Sequence, residues 1–310
     1  MSENILRIKC FSSFCDSKIC KDNFENIVEP MLLEKYKNNH IIFTTDEDYT
    51  HVIILNTAMP VINANVPKEN VLGLAYEPIE FLNITPEFVE YAKKHIGKYF
   101  IGSKHNLPEP FIERFAFMWF CPPIRYDKIS DKSFDKISDK SLDKISDKTK
   151  IMSIVLSDKI SAPGHRYRHV LVENILKNKL PIDIYGKGAN HYLNIDNNLV
   201  IGNNLVKGEF KDVEPYRDYC FTICIENYGS NDYISEKFMN PIMNHCMPVY
   251  IGAKNVSTYF DHFISLTGDL KTDIHILIRL LREPKKYYKN SYNERNICQM
   301  NIFEHVKDLF

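Results

Sequence analysis

Residues 221–252 read FTICIENYGSNDYISEKFMNPIMNHCMPVYIG and hold the densest set of side chains able to do chemistry. An apolar run ends in Glu226 and Asn227, a polar loop with Gly229 follows, and Asp232 precedes an apolar-periodic stretch as its expected N-cap. Glu236 and Lys237 then fall in the first turn of the predicted helix, where free N–H groups and the positive end of the macrodipole favour an anion. A strand, a glycine-containing loop and a helix with lysine in its first turn make a phosphate site without a P-loop. The same pattern also reads as plain capping by Asp232 and Glu236 with a solvated lysine.

Other patterns point to less. No G-x-x-x-x-G-K-[ST] or G-x-G-x-x-G occurs, and Gly186-Lys187-Gly188 reads as a turn after a strand. Asp46-Glu47-Asp48 has the D-x-D form that can hold a divalent metal, yet its polar setting reads as a solvated acidic turn. The eleven histidines lack metal-ligand spacing, and Cys10, Cys15 and Cys20 lack a fourth ligand nearby, so reduced thiols are expected and no metal. Trp119 sits in an aromatic cluster, Phe115 to Phe120, that suits a core or a face for a sugar.

Composition bounds the function classes. With 39 basic against 40 acidic residues and a net charge of −1, the chain lacks the cationic surplus of a nucleic-acid binder. At 44% hydrophobic it can bury a real core. Neither an apolar run of about 18 residues nor a basic-then-apolar leader is present, so a cytoplasmic protein without a transmembrane segment is expected.

The elements that must carry these residues alternate. Strands are predicted at 5–10, 41–44, 52–56, 71–75 and 99–102, then at 151–156, 182–185, 199–201, 221–226, 248–251 and 263–266. Helices are predicted at 24–36, 86–95, 166–179, 233–245 and 269–281. Such alternation in both halves implies two parallel, doubly wound sheets with a ligand crevice at the carboxyl ends of the strands. Between the halves, residues 127–150 repeat DKISDKSF, DKISDKSL and DKISDKTK. A step of eight residues advances about 800° on a helix, so its apolar stripe drifts and cannot hold one buried face. The expected division is therefore a first doubly wound domain at 1–125, an insert or linker at 126–150, a second doubly wound domain at 151–280 and a C-terminal helical segment at 281–310.

The pattern E-N-x-x-x-x-D-Y-I-S-E-K, followed by H-C-M-P-V-Y-I-G, closely resembles the donor-site signature of the α1,3/1,4-fucosyltransferases, glycosyltransferase family 10. Only Ile225 departs visibly, from the family's usual aromatic. PIDIYG at 181–186 resembles the family's V-D-V-Y-G element, and SDKISAPGHRYRHVLVENIL at 157–176 resembles its strand-loop-helix with a diphosphate-binding arginine. Arg168 matches that arginine best, with Arg166 as the fallback.

That resemblance implies a two-domain α/β fold of the GT-B type, two Rossmann-like domains facing a cleft, with acceptor binding in the N-terminal half. It implies inverting transfer of fucose from GDP-fucose to a hydroxyl of a glycan acceptor, in an α1,3-type linkage and without a metal cofactor. A family carboxylate after a strand in the N-terminal half acts as general base; Glu77, in VLGLAYEP, is the candidate and Glu80 its competitor. Lys237 and Arg168 would stabilise the departing diphosphate, Glu236 and Asn227 would contact sugar or ribose hydroxyls, and Tyr185, Tyr233 and Glu226 would complete the donor pocket. Two rivals remain at this point, a transferase for another nucleotide sugar and a glycan- or nucleotide-binding relic of the fold. Retention of Glu226, Asn227, Glu236 and Lys237 together speaks against the relic.

Overall fold

The computed structural model describes residues 5–27, 30–38, 40–119, 148–193 and 204–310. The octad repeats up to residue 147 and the strand expected at 199–201 lie outside them. Six strands, β1 (Leu6–Ser12), β2 (Ile41–Thr44), β3 (His51–Leu55), β4 (Val71–Leu74), β5 (Lys98–Ile101) and β6 (Phe111–Glu113), form a parallel sheet in the order β2-β1-β3-β4-β5-β6. A second parallel sheet, ordered β12-β11-β10-β7-β8-β9, contains β7 (Lys150–Val155), β8 (Asp183–Tyr185), β9 (Val206–Lys207), β10 (Tyr219–Ile225), β11 (Met247–Ile251) and β12 (Ile264–Ser265). This is the GT-B type of architecture. Strand order reverses between β1 and β3 in the first sheet and between β7 and β10 in the second, and such switch points open crevices at the carboxyl ends. Every residue of β10 is buried, which explains its unbroken apolar run.

Ten helices connect and cover the sheets among the described residues: α1 (Ser17–Asn26), α2 (Pro30–Asn38), α3 (Ile79–Leu82), α4 (Pro86–His95), α5 (Pro163–Lys177), α6 (Glu236–Met243), α7 (Leu270–Arg282), α8 (Pro284–Tyr287), α9 (Glu294–Met300) and α10 (Ile302–Leu309). Three expectations change. The single helix predicted at 24–36 is two, because Pro30 has no N–H for a helix interior and opens α2 instead. The helix predicted at 233–245 is only Glu236–Met243, since Pro241 interrupts its hydrogen-bond ladder and His245 turns to φ 53°. Its N-cap is Ser235, not Asp232, which sits at φ 56° and binds Asn255 and Tyr259.

The C-terminal helices return to the first sheet. Phe303 of α10 lies 4.8 Å from the Tyr36 ring and 5.1 Å from the Phe43 ring, and the Lys98 ammonium donates to the Leu309 carbonyl at 2.9 Å. One buried cluster joins Ile8, Phe24 and Leu74 with Phe238 and Tyr250 of the second half and with Val306. Helix α6 is thereby wedged between the two halves, and the chain's end ties them together.

Candidate active site

Residues Glu226 and Asn227 leave β10 at its carboxyl end, beside β7 at the switch point. The Glu226 carboxylate is wholly buried and accepts the Ser235 N–H at 2.9 Å and the Ser235 hydroxyl at 2.6 Å. Ser235 in turn caps α6 by accepting from the Lys237 N–H. One carboxylate thus draws the start of α6 onto the end of β10. Gly252 makes room for it: a Cβ there would stand 2.4 Å from Glu226 Cγ and 2.2 Å from the Tyr250 hydroxyl. Burial pushes the Glu226 carboxyl above its usual range, against the pull of Lys237.

Lys237 Nζ lies 2.8 Å from Glu236 and 3.9 Å from Glu226. Burial alone would lower its pKa, but the two carboxylates outweigh that and raise it, so the ammonium stays charged. Although burial works to raise the Glu236 carboxyl, Lys237 beside it holds it below the usual range.

Helix α5 begins at the same crevice. Its Gly164 N–H donates to the Asn227 carbonyl at 3.0 Å, and a Cβ on Gly164 would fall 1.8 Å from the Glu226 carbonyl oxygen, so only glycine permits this approach. One turn on, Arg168 is 5% exposed. Its Nη2 donates to Asn227 Oδ1 at 2.5 Å, its Nε has no partner, and no carboxylate among the described residues lies within ion-pair distance. Burial lowers its pKa from the ordinary arginine value, against the attraction of Glu226 and Glu236. Arg166 instead points its guanidinium at the carbonyls of Ile160 and Ser161, where it braces the loop.

From the first sheet, Glu77 follows β4 and accepts the Tyr233 hydroxyl at 3.3 Å, across the boundary between the halves. Burial raises its pKa, joined by Glu236, while Lys237 and Tyr233 pull it down. Glu80 is exposed in the first turn of α3. The structure therefore brings Glu77, Arg168, Glu226, Asn227, Tyr233, Glu236 and Lys237 into one neighbourhood. Tyr185 ends β8 at the same carboxyl edge, but its hydroxyl lies 2.7 Å from that of Tyr219, the first residue of β10.

Sequence reading missed two contributors. Ser235, the true cap, carries the ordinary N-cap signal of a serine just before Glu236. His165, buried in the first turn of α5, accepts the Ala162 N–H at Nδ1 (3.2 Å) and stacks 6.3 Å from Phe81 of α3. Burial first, then Arg168 and the lysines at 159 and 237, lower its pKa to about 4, so it is a neutral ring in a cationic setting. Among the described residues, no group of three or more His, Cys, Asp or Glu side chains is arranged to hold a metal. Asp46 and Asp48 of the acidic turn share Arg7 at 3.0 and 2.6 Å. A neutral-to-cationic floor under a crevice, faced by a carboxylate from the other half, suits a departing phosphorylated group and a hydroxyl to be deprotonated.

Comparison with known proteins bears on the family and the fold. A family model described as glycosyltransferase family 10 (fucosyltransferase), C-terminal, matches residues 145–307, more than half of the chain. Alpha-(1,3)-fucosyltransferase B of Drosophila melanogaster is 29% identical over 145 residues, which cover 45% of this chain and 32% of that protein. The chain thus spans about a third of the length of that curated relative. Two crystal structures of an α1,3-fucosyltransferase, one with GDP-fucose and one with GDP, superpose with TM-scores of 0.55 and 0.53 at 15% identity. They cover 100% of this chain and 91% and 92% of theirs. At that identity the likeness establishes the fold.

Proposed function

The chain belongs to glycosyltransferase family 10, the fucosyltransferases, and from that premise we propose that it moves fucose from GDP-fucose to a hydroxyl of a glycan acceptor, with inversion. The observation that carries this reading is Arg168, a nearly buried cation with one neutral partner, set beside Lys237 where α5 and α6 begin. A buried guanidinium without a counter-ion is poorly solvated, and a diphosphate supplies the missing charge.

In the proposed reaction the acceptor oxygen attacks the anomeric carbon as Glu77 takes its proton. The bond from that carbon to the β-phosphate oxygen breaks, and its electron pair leaves with GDP. Arg168 and Lys237 meet the charge growing on the diphosphate, the role a divalent cation fills in other transferases. Tyr233 holds Glu77, Asn227 and Glu236 offer polar groups to sugar or ribose hydroxyls, and Glu226 fixes the architecture through Ser235. An α1,3 linkage follows the family resemblance. A reducing, cytoplasmic setting suits the free cysteines, with Cys15 and Cys20 unbonded at 3.4 Å.

Hydrolysis of GDP-fucose, GDP-mannose, UDP-galactose and UDP-glucose in the absence of acceptor tests the donor. Turnover should be confined to GDP-fucose and lost in Lys237→Ala. Preferential cleavage of a UDP-sugar, or no binding of any GDP species, would overturn the proposal.

A further inference from the structure

The first sheet has a switch point of its own, between β1 and β3, and the crevice it opens holds a group of aromatic rings that the donor chemistry does not use. Phe14, two residues past β1, is 52% exposed although large and apolar. Its backbone N–H is pinned to the Ser12 hydroxyl at 3.1 Å, which fixes the turn that presents it. Trp119 lies 6.0 Å from the Phe14 ring and stands edge-on to Tyr76 (4.9 Å, 83°) and to the buried Phe24 (5.4 Å, 86°). Tyr76 is anchored twice, its hydroxyl to the Phe117 carbonyl at 3.2 Å and its N–H to Asn56 Oδ1 at 2.8 Å, just past β3. The next residue along the chain is Glu77.

We infer that Phe14 and Trp119 form the acceptor subsite, a wedge of two rings inclined at 57° in which a neutral pyranose ring stacks on one face and meets the other at its edge, so that the hydroxyl of its neighbour reaches Glu77. The inference rests on the transfer proposed above. Three observations select the occupant. The Trp119 ring is held edge-on by Tyr76 and Phe24, and the turn that carries Phe14 is pinned through its backbone, as a stacking surface needs and an adaptable protein-docking surface does not. The patch is small: two partly covered aromatic side chains expose at most about 300 Å², against the roughly 800 Å² per partner of a stable protein interface. It also shares the carboxyl edge of the first sheet with Glu77, the residue that follows Tyr76 just past β4. The faces of a pyranose, lined by C–H groups, suit the electron-rich faces of such rings.

Trp119 is the only tryptophan in the chain, which makes its fluorescence a reporter of this site alone. GDP-saturated enzyme would be titrated with lactose, N-acetyllactosamine and chitobiose while emission and acrylamide quenching are followed. At least one disaccharide should shift the emission to the blue and protect Trp119 saturably. Phe14→Ala should weaken that saccharide at least tenfold and raise its KM equally, with kcat, GDP affinity and GDP-fucose hydrolysis within twofold of wild type. Phe14→Tyr should restore binding. Three outcomes would overturn the inference: no disaccharide moves the emission, Phe14→Ala leaves saccharide affinity unchanged, or the ring is already shielded from acrylamide in the free protein. Absence of GDP-fucose hydrolysis in the wild type would instead strike the donor proposal, so the two failures are distinguishable.

Discussion

Replacing Arg168 by methionine should separate binding from stability, with effects of opposite sign. Arg168 is 5% exposed, and its guanidinium has one hydrogen-bonded partner, the Asn227 amide oxygen, at 2.5 Å. Desolvating a cation costs several kcal/mol, and here no ion pair returns that cost. Attraction to Glu226 and Glu236 recovers part of it. Methionine removes the charge and fills much of the volume, at the expense of leaving Asn227 Oδ1 short of a donor, about 1–3 kcal/mol. The net expectation is a protein without ligand that is as stable as wild type or more stable by up to about 2 kcal/mol. At this chain length each kcal/mol moves Tm by roughly 2–4 °C, so Tm should hold or rise by as much as about 8 °C.

Nucleotide binding should move the other way. Two unit charges 4 Å apart attract by about 4 kcal/mol at an effective dielectric of 20. After the diphosphate's own desolvation, about 2–4 kcal/mol should be lost, a roughly 30- to 1,000-fold weaker Kd for GDP. Thermal unfolding without ligand and calorimetric titration with GDP provide both readings. A variant that melts more than about 6 °C lower yet binds GDP within threefold of wild type would show Arg168 to be a structural strut and refute the reasoning.

Further predictions concern titrating groups. Glu77→Gln should cut transfer by about a hundredfold or more, the usual contribution of a positioned base, while GDP affinity holds; residual transfer within tenfold of wild type would exclude Glu77 as the base. Because burial raises the Glu77 pKa, the acid limb of kcat/KM should lie above the ordinary carboxylate range, and Tyr233→Phe, which removes a bond favouring the ionised form, should move it higher. A pH profile that is unmoved in the variant would contradict this. His165 has its pKa lowered to about 4 in the folded protein, against about 6.5 unfolded. Between those values the unfolded chain binds the extra proton, so stability rises with pH across that window and is lost as pH falls, by at most about 3 kcal/mol. His165→Gln should flatten that slope in urea unfolding at pH 4.5 and 7; an unchanged slope would remove His165 as its source.

Local chemistry made much of this protein legible. The strand predicted at 41–44 is β2, and the helix predicted at 86–95 is α4, because Pro86 and the Thr85 cap mark its start unmistakably. The E-N and S-E-K spacing around residues 226–237 likewise put Glu226 and Lys237 on adjacent elements, since a strand end and the following helix start are neighbours at a switch point. Four features stayed hidden. Strands β6 and β9, of three and two residues, lack a readable period. Asp232 looked like the cap because it is an aspartate before an apolar-periodic stretch, but its carboxylate is bound to Asn255 and Tyr259 from more than twenty residues away. The return of α10 to the first sheet has no local signal at all.

What the sequence determined by itself is the set of elements and the charged motif at the start of α6, because caps, prolines and apolar periods act over a few residues. Only the tertiary structure decided which arginine is buried without a counter-ion, that Tyr185 spends its hydroxyl on Tyr219, and that Glu77 meets Tyr233. Those outcomes depend on where burial and charge from distant segments converge. A pattern of residue types along the chain carries no record of that distance.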